Sequence, residues 1–301
     1  MSKITFNPKL TFKQTVSLLI IAALALFAGS SYYWYKNVLT DPDRILSGML
    51  DKSLQTTSVQ RIVSQKGGQS TVNQSVYAAF SPKTVSQSIT ELEESSAAGK
   101  TKVTTETLGT KEVDYVRYKA IEIPSGKTDN LDKILGVWGK KGGDPEAGQS
   151  ASFLNDALLV AVPFGNLNNG QRNEIKKEIN RVKLYDYSKT ETEFKNGRPV
   201  ITYTTSVDPK SLVEVLSKYV EVTNVGTSAA LDPANYEGAE KIQVQIEVDV
   251  LSRHLRSIKF EGSDRLETYR GYNQKRSVEI PKQTIGVEEL QSRLQVLEQQ
   301  Q

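Results

Sequence analysis

The chain has 301 residues, no cysteine, one histidine and a formal charge of +3. Four lysines (Lys3, Lys9, Lys13, Lys36) and no acid lie in residues 1–39, so the remainder stands at −1. That balance gives bulk attraction to nucleic acid no support, and a chain without cysteine has no thiol nucleophile, no thiolate metal site and no disulfide to hold an exported fold together.

Residues 14–35 (QTVSLLIIAALALFAGSSYYWY) carry no charge. They exceed the roughly 20 residues of helix that cross a hydrocarbon core. Lysines precede the stretch, and Tyr32, Tyr33, Trp34 and Tyr35 close it. Basic residues favour the cytoplasmic side, and aromatic rings settle at the headgroups. The expectation is a transmembrane anchor over 14–35, a cytoplasmic N-terminus over 1–13 and an extracytoplasmic domain over 40–301. Cleavage at Ala28-Gly29-Ser30 is the rival reading; the aromatic cluster favours a retained anchor.

Asp41-Pro42 starts a helix, because Asp accepts from free N–H groups and Pro suits the first helical position. Ile45, Leu46, Met49, Leu50 and Leu54 extend it over 42–54. Segments 57–65, 70–80, 84–94, 100–108 and 111–123 are rich in Val, Thr, Ile, Tyr and Ser and are separated by Gly, Pro and Ser turns, which predicts an antiparallel meander. On the second strand, Val72, Val76, Ala78 and Phe80 form the apolar face and Asn73, Ser75 and Tyr77 the other. A short helix is predicted over 128–138 and a polar loop over 140–149. SASFLNDALLVAVPFG is apolar on nearly every side, so a helix over 151–162, ended by Pro163, is predicted to be enclosed by protein. Its Gly-rich flanks are equally compatible with a movable lid.

A charged helix follows at 172–181. Strands at 182–195 and 199–207 flank Asn196-Gly197, a strong hairpin signal. Asp208-Pro209 starts a helix over 209–220. Ile242, Val244, Ile246, Val248 and Val250 alternate with polar residues in the clearest strand, and strands at 254–261, 265–272 and 275–281 come next. The final helix, 286–298, sets Val287, Leu290, Leu294 and Leu297 at 3-4-3 spacing. Two heptads are too few for a coiled coil, so it reads as a helix docking on the sheet or fraying. With about eleven strands, no βαβ alternation and no fixed repeat, the fold class is α+β.

This order resembles the lipoprotein-carrier fold of the LolA/LppX type. The resemblance rests on the strand Lys241–Val250, the basic turn Leu251–Arg256, the strands Ser257–Glu261 and Leu266–Tyr272, the Ile280-Pro281 end and the hairpin segment Asn196–Asp208. It spans residues 40–298 as a pattern and carries over no individual ligand residue. It implies a curved antiparallel half-barrel of about eleven strands, with helices on the concave side. It also implies a binder, not an enzyme, taking a lipid or lipoprotein ligand. The chain lacks a cysteine for lipid modification, so the helix at 14–35 must supply the membrane link.

Chemical motifs do not compete with that reading. His254 sits among arginines with no nucleophile pattern, so a solvent-facing turn residue is expected. Gly143–Ser150 has Gln149 where a phosphate-binding loop has lysine. Glu91, Glu93 and Glu94, and Asp129 with Asp132, lack the spacing of a cation loop and read as solvated faces. Asn73-Gln74-Ser75 is formally a glycosylation sequon, a pattern common by chance. No metal, cofactor or nucleic acid is expected. An apolar ligand would lie against Ile242, Val244 and Ile246 and against Phe153, Leu158 and Leu159. The alternative is a solidly packed structural or interaction module of the cell envelope, with a protein partner and no ligand.

Overall fold

The computed structural model describes residues 12–34, 40–97, 99–124, 131–142, 152–225 and 231–299, without the side chains of 12–19 and 297–299. It divides into two units, Met1–Ile45 and Leu46–Gln301.

In the first unit, α1 runs Phe12–Trp34. From Ile20 to Trp34 every described side chain is exposed, Leu26 and Phe27 most of all. Among the described residues no helix is long and apolar enough to cross a membrane. The expected span at 14–35 begins and ends on residues whose side chains lie outside those described. Asp41 caps the next helix, α2 (Pro42–Leu54), by accepting from the backbone N–H groups of Asp43 and Arg44 at 3.0 and 3.3 Å.

The second unit is built on one large, curved sheet of twelve strands. In chain order they are β1 (Ser58–Gly67), β2 (Ser70–Ala79), β3 (Val85–Ser96), β4 (Gly99–Gly109), β5 (Val113–Glu122), β6 (Gly139–Gly142), β7 (Tyr187–Lys195), β8 (Arg198–Val207), β9 (Ile242–Asp249), β10 (Leu255–Phe260), β11 (Asp264–Arg270) and β12 (Ile285–Gly286). Their order across the sheet is β12-β6-β5-β4-β3-β2-β1-β11-β10-β9-β8-β7. Every pair is antiparallel except β12 with β6. β7 and β12 are free edges, so the sheet is open. Bulges at Thr104/Thr105, Leu255/Ser257 and Tyr187/Lys189 bend it.

The alternation of side chains gives the sheet two unlike faces. One carries α3 (Ser152–Leu158), which contacts β2, β3, β4 and β5. Beyond α3, Leu159–Leu167 is irregular, with bends over 159–162: Val160, Val162 and Phe164 are buried, and Phe164 stacks on Tyr269 of β11 at 5.3 Å. The end of α2 flanks this segment, Ser53 O and Leu54 O accepting from Gly165 and Leu167 N–H. α5 (Pro209–Thr223) flanks it too, through the Tyr219 hydroxyl donating to Phe164 O at 2.6 Å. α4 (Asn169–Arg181) packs on α5, and α6 (Val287–Gln299) on β6.

Five local expectations are corrected. The helix predicted over 151–162 ends at Leu158 and gives way to bends, because β-branched Val160 and Val162 and the restriction Pro163 places on its predecessor disfavour helix. The expected strand at 275–281 joins no ladder; Gly271–Thr284 instead crosses the face of the sheet opposite α3 and returns the chain from β11 to β6. Asn273 N–H and Tyr77 OH tie its start to β1 and β2, donating to Ser58 O at 2.8 Å and Gln274 O at 3.0 Å. Tyr77, assigned to the polar strand face, is therefore buried. At 128–138 only Leu131–Lys133 forms a 3-10 turn, 128–130 lying outside the described residues. The polar loop opens with β6, whose remainder from 143 is likewise outside them.

Candidate functional site

The register of β2–β5 lays four rows of side chains across the α3 face. The first, Ala78–Ser86–Gly109–Asp114, lies beneath α3. A Cβ on Gly109 would stand 2.5 Å from Leu154 N and 2.9 Å from Phe153 C, so glycine here permits the helix backbone to rest on the strand. Ser86 Oγ donates to Phe153 O. Asp114, almost fully buried, accepts from Ser152 N–H at 2.6 Å, Ser152 Oγ at 3.0 Å and Phe153 N–H at 3.2 Å. Burial raises its pKa, outweighing those bonds.

The next rows are Val76–Ser88–Thr107–Val116, Gln74–Thr90–Thr105–Tyr118 and Val72–Leu92–Val103–Ile121. The row beneath α3 is buried at every position. In the last, all four apolar residues are only half-buried. Rows on one face lie two residues apart, so this rail is about 20 Å from the row beneath α3. The strip between them, the trough, carries small hydroxyl side chains, Ser88, Thr90, Thr105 and Thr107.

A charged wall stands where the trough meets β1 and β11. Arg61, 7% exposed, donates from Nη2 to Asp156 O of α3 at 3.1 Å and lies 3.8 Å from Glu267. Glu267, 2% exposed, accepts from Tyr269 OH at 2.6 Å and from Arg265 Nε at 3.0 Å. Burial raises the Asp156 pKa, with the Arg61 charge opposing. Asp114 and Arg61 thus hold α3 near its two ends, and Leu158 is buried. The helix is a fixed rim of the trough, which favours the core reading of this segment over a lid.

The residues expected to line a ligand fall into two groups. Phe153, Leu158 and Leu159 lie on or just after α3; Phe153 and Leu159 are half-buried. Val244 and Ile246 are 1% exposed, inside the core of β9, where Ile246 pairs with Ile258 and Tyr203. Ile242 is 41% exposed at the start of that strand. β1, β11 and β10 separate β9 from the strands beneath α3. The structure therefore does not bring the six into one lining. Sequence reasoning missed Val72, Leu92, Val103 and Ile121. Their signal was a face on which Ser86, Ser88, Thr90, Thr105 and Thr107 stand where a packed core would have large apolar side chains.

His254 is not a free turn residue. Its ring stacks on Tyr272 with centroids 4.1 Å apart and planes at 3°. Burial, then the charge of Lys52, lowers its pKa, with Asp249 opposing and Arg198 adding to the depression. The acidic run is paired across strands, Glu93 with Lys100 at 2.6 Å and Glu91 with Lys102 at 3.3 Å. Among the described residues no group of three or more His, Cys, Asp or Glu side chains is placed to hold a metal ion.

Fold and site together define an α+β protein built on an open, mostly antiparallel sheet, with α3 over β2–β5 and a half-buried apolar row, Val72–Leu92–Val103–Ile121, farther along the same face. No family model matches the chain, and no curated protein does. Among solved structures it is similar to LprF from Mycobacterium bovis, at 10% identity and a TM-score of 0.42 over 79% of this chain and 95% of that one.

Proposed function

We propose that residues 40–301 form an extracytoplasmic binding domain, tethered to the cell membrane through 14–35 with the N-terminus in the cytoplasm. The domain holds or hands over a lipid or another apolar ligand and is not an enzyme. One observation carries the ligand reading: an in-register apolar row, Val72–Leu92–Val103–Ile121, left half-exposed on a helix-covered face. Contiguous apolar surface of this kind marks a binding site more often than scattered exposed residues do. For the tether, the support is a helix whose Ile, Leu and Phe side chains are exposed on all sides, which in a stable protein calls for an apolar surround.

The ligand would lie over β2–β5. The β8–β11 half of the same face is solid core: Ile201, Tyr203, Ile246, Val248 and Ile258 are all 1% exposed or less.

Lipid extraction and mass spectrometry of the purified full chain test the reading. Wild type is expected to carry a stoichiometric acyl lipid. Leu92→Glu and Val103→Lys, at half-exposed positions, should cut it at least five-fold and leave the melting temperature within a few degrees. Lipid-free wild-type protein with an unchanged melt would establish the solidly packed envelope module instead.

A further inference from the structure

The crossing segment Gly271–Thr284 encloses a second site, on the opposite face of the sheet. Asn273, Gln274 and Arg276 fix its start to β1 and β2; Arg276 Nη2 donates to Gln60 Oε1 at 2.9 Å. Ile285 N–H donates to Trp138 O at 2.9 Å at its end. From Ser277 to Thr284 no hydrogen bond joins it to the sheet among the described residues. Beneath that free middle lies a cavity of about 880 Å³, within the roughly 300–1,000 Å³ of small-molecule sites.

Its floor is rigid. Glu106, 4% exposed, accepts from Gln87 Nε2 at 2.6 Å and from Arg117 Nε and Nη2 at 2.8 and 2.5 Å. Lys119 Nζ is 3.7 Å away. Arg117, held by both bonds, also lies 4.5 Å over the ring of Trp138. The roof contributes Glu279 and Lys282. The lining thus holds two acids and two bases, so no net charge favours an ion. It offers donors and acceptors close together, beside an indole.

A hydroxyl group both donates and accepts, and so can bond to either kind of partner in such a wall. An aromatic ring provides an apolar surface with a polar margin. We propose that this cleft binds an uncharged saccharide, of mono- to disaccharide size. The site shares no residue with the trough and does not depend on the lipid reading.

The chain has two tryptophans, Trp34 and Trp138. In a Trp34→Phe full chain, Trp138 emission therefore reports this cavity. Titrations use cellobiose and N,N′-diacetylchitobiose, with glucuronic acid and inorganic phosphate as charged comparators. A saturable change with at least one disaccharide, and none with the charged probes, is expected. Arg117→Gln should weaken it at least ten-fold. Because that change leaves Glu106 without its main partner and can unfold the domain, Ser277→Phe is the second variant: it lies on the exposed crossing segment, fills the cavity and should abolish the change with the melt preserved. No response to either disaccharide up to tens of millimolar, a stronger response to the charged probes, or binding that survives Ser277→Phe in a folded protein overturns the proposal.

Discussion

Individual side chains carry the pH response of this protein. His254 is held neutral by burial and by the nearby charges of Lys52 and Arg198. Its folded pKa is lowered, so the unfolded chain binds the proton more readily. The stability it contributes is present above the unfolded value of 6.5 and is lost as pH falls through the folded one. Urea denaturation at pH 7.5 and 5.5 should show a fall in midpoint at the lower pH; His254→Phe, which keeps a flat ring against Tyr272, should make that fall smaller. Glu106 works in a lower window. Burial pushes its pKa up, but the bonds from Arg117 and Gln87 prevail and hold it below 4.5. Its contribution is lost only as pH falls below that value, and a Glu106→Gln chain should lose less stability than wild type between pH 5 and 3. In the core, Ile246→Ala should cost about 2–5 kcal/mol, the usual range for a filled site that cannot collapse.

Among the elements, α3 is the most sensitive to what lies under it. Gly109→Ala drives a methyl into the backbone of Phe153 and Leu154, and backbone cannot swing aside as a flexible side chain can. A loss of about 1–3 kcal/mol is expected, with faster amide exchange in Ser152–Leu158 than in β8. Asp114→Ala removes the acceptor for two backbone N–H groups and should cost about 1–2 kcal/mol. Unchanged exchange in α3 in both variants would show that the helix is held by its apolar side alone. The sequence was legible where one signal dominated: the alternation at 242–250 and the Asn-Gly hairpin gave β9 and the β7–β8 turn. It misled at 151–162, where apolarity on all sides hid the switch from helix to irregular chain at Leu158. The route of 275–281 was not legible either, since a run of Ser, Val, Glu, Ile and Pro can pair in a sheet or cross one, and only distant partners such as Tyr77 decide. The trough residues shared a strand pattern with the core, and which end α3 covers depends on Gly109, a residue that reads locally as a turn.

For the whole molecule, the orientation expected from the lysines and aromatics gives a direct test. External protease on sealed cells should digest residues 40–301 and leave 1–13 intact; full protection of the larger part would reverse the topology. Leu158→Asp tests how α3 belongs to the body of the domain. An unpaired charge at a position 3% exposed should abolish the cooperative melt, whereas a helix that lifted as a lid would keep it. The pairing of β1 with β11 has a consequence in time. β1 to β5 and β7 to β11 are each built mainly from neighbours in sequence, yet the two halves of the sheet join through the ladder that runs from Gln60 opposite Arg270 to Lys66 opposite Asp264. Such a distant closure is slow to form. A chain emerging N-terminus first must wait, with the edge of β1 open to any passing strand, until nearly all of it has been delivered. Synthesis halted before Asp264 would leave that edge unpaired, and truncated chains should aggregate while the intact protein stays monodisperse. The newborn protein is most at risk in the interval before β11 arrives, and a holding chaperone would be needed then and not afterwards.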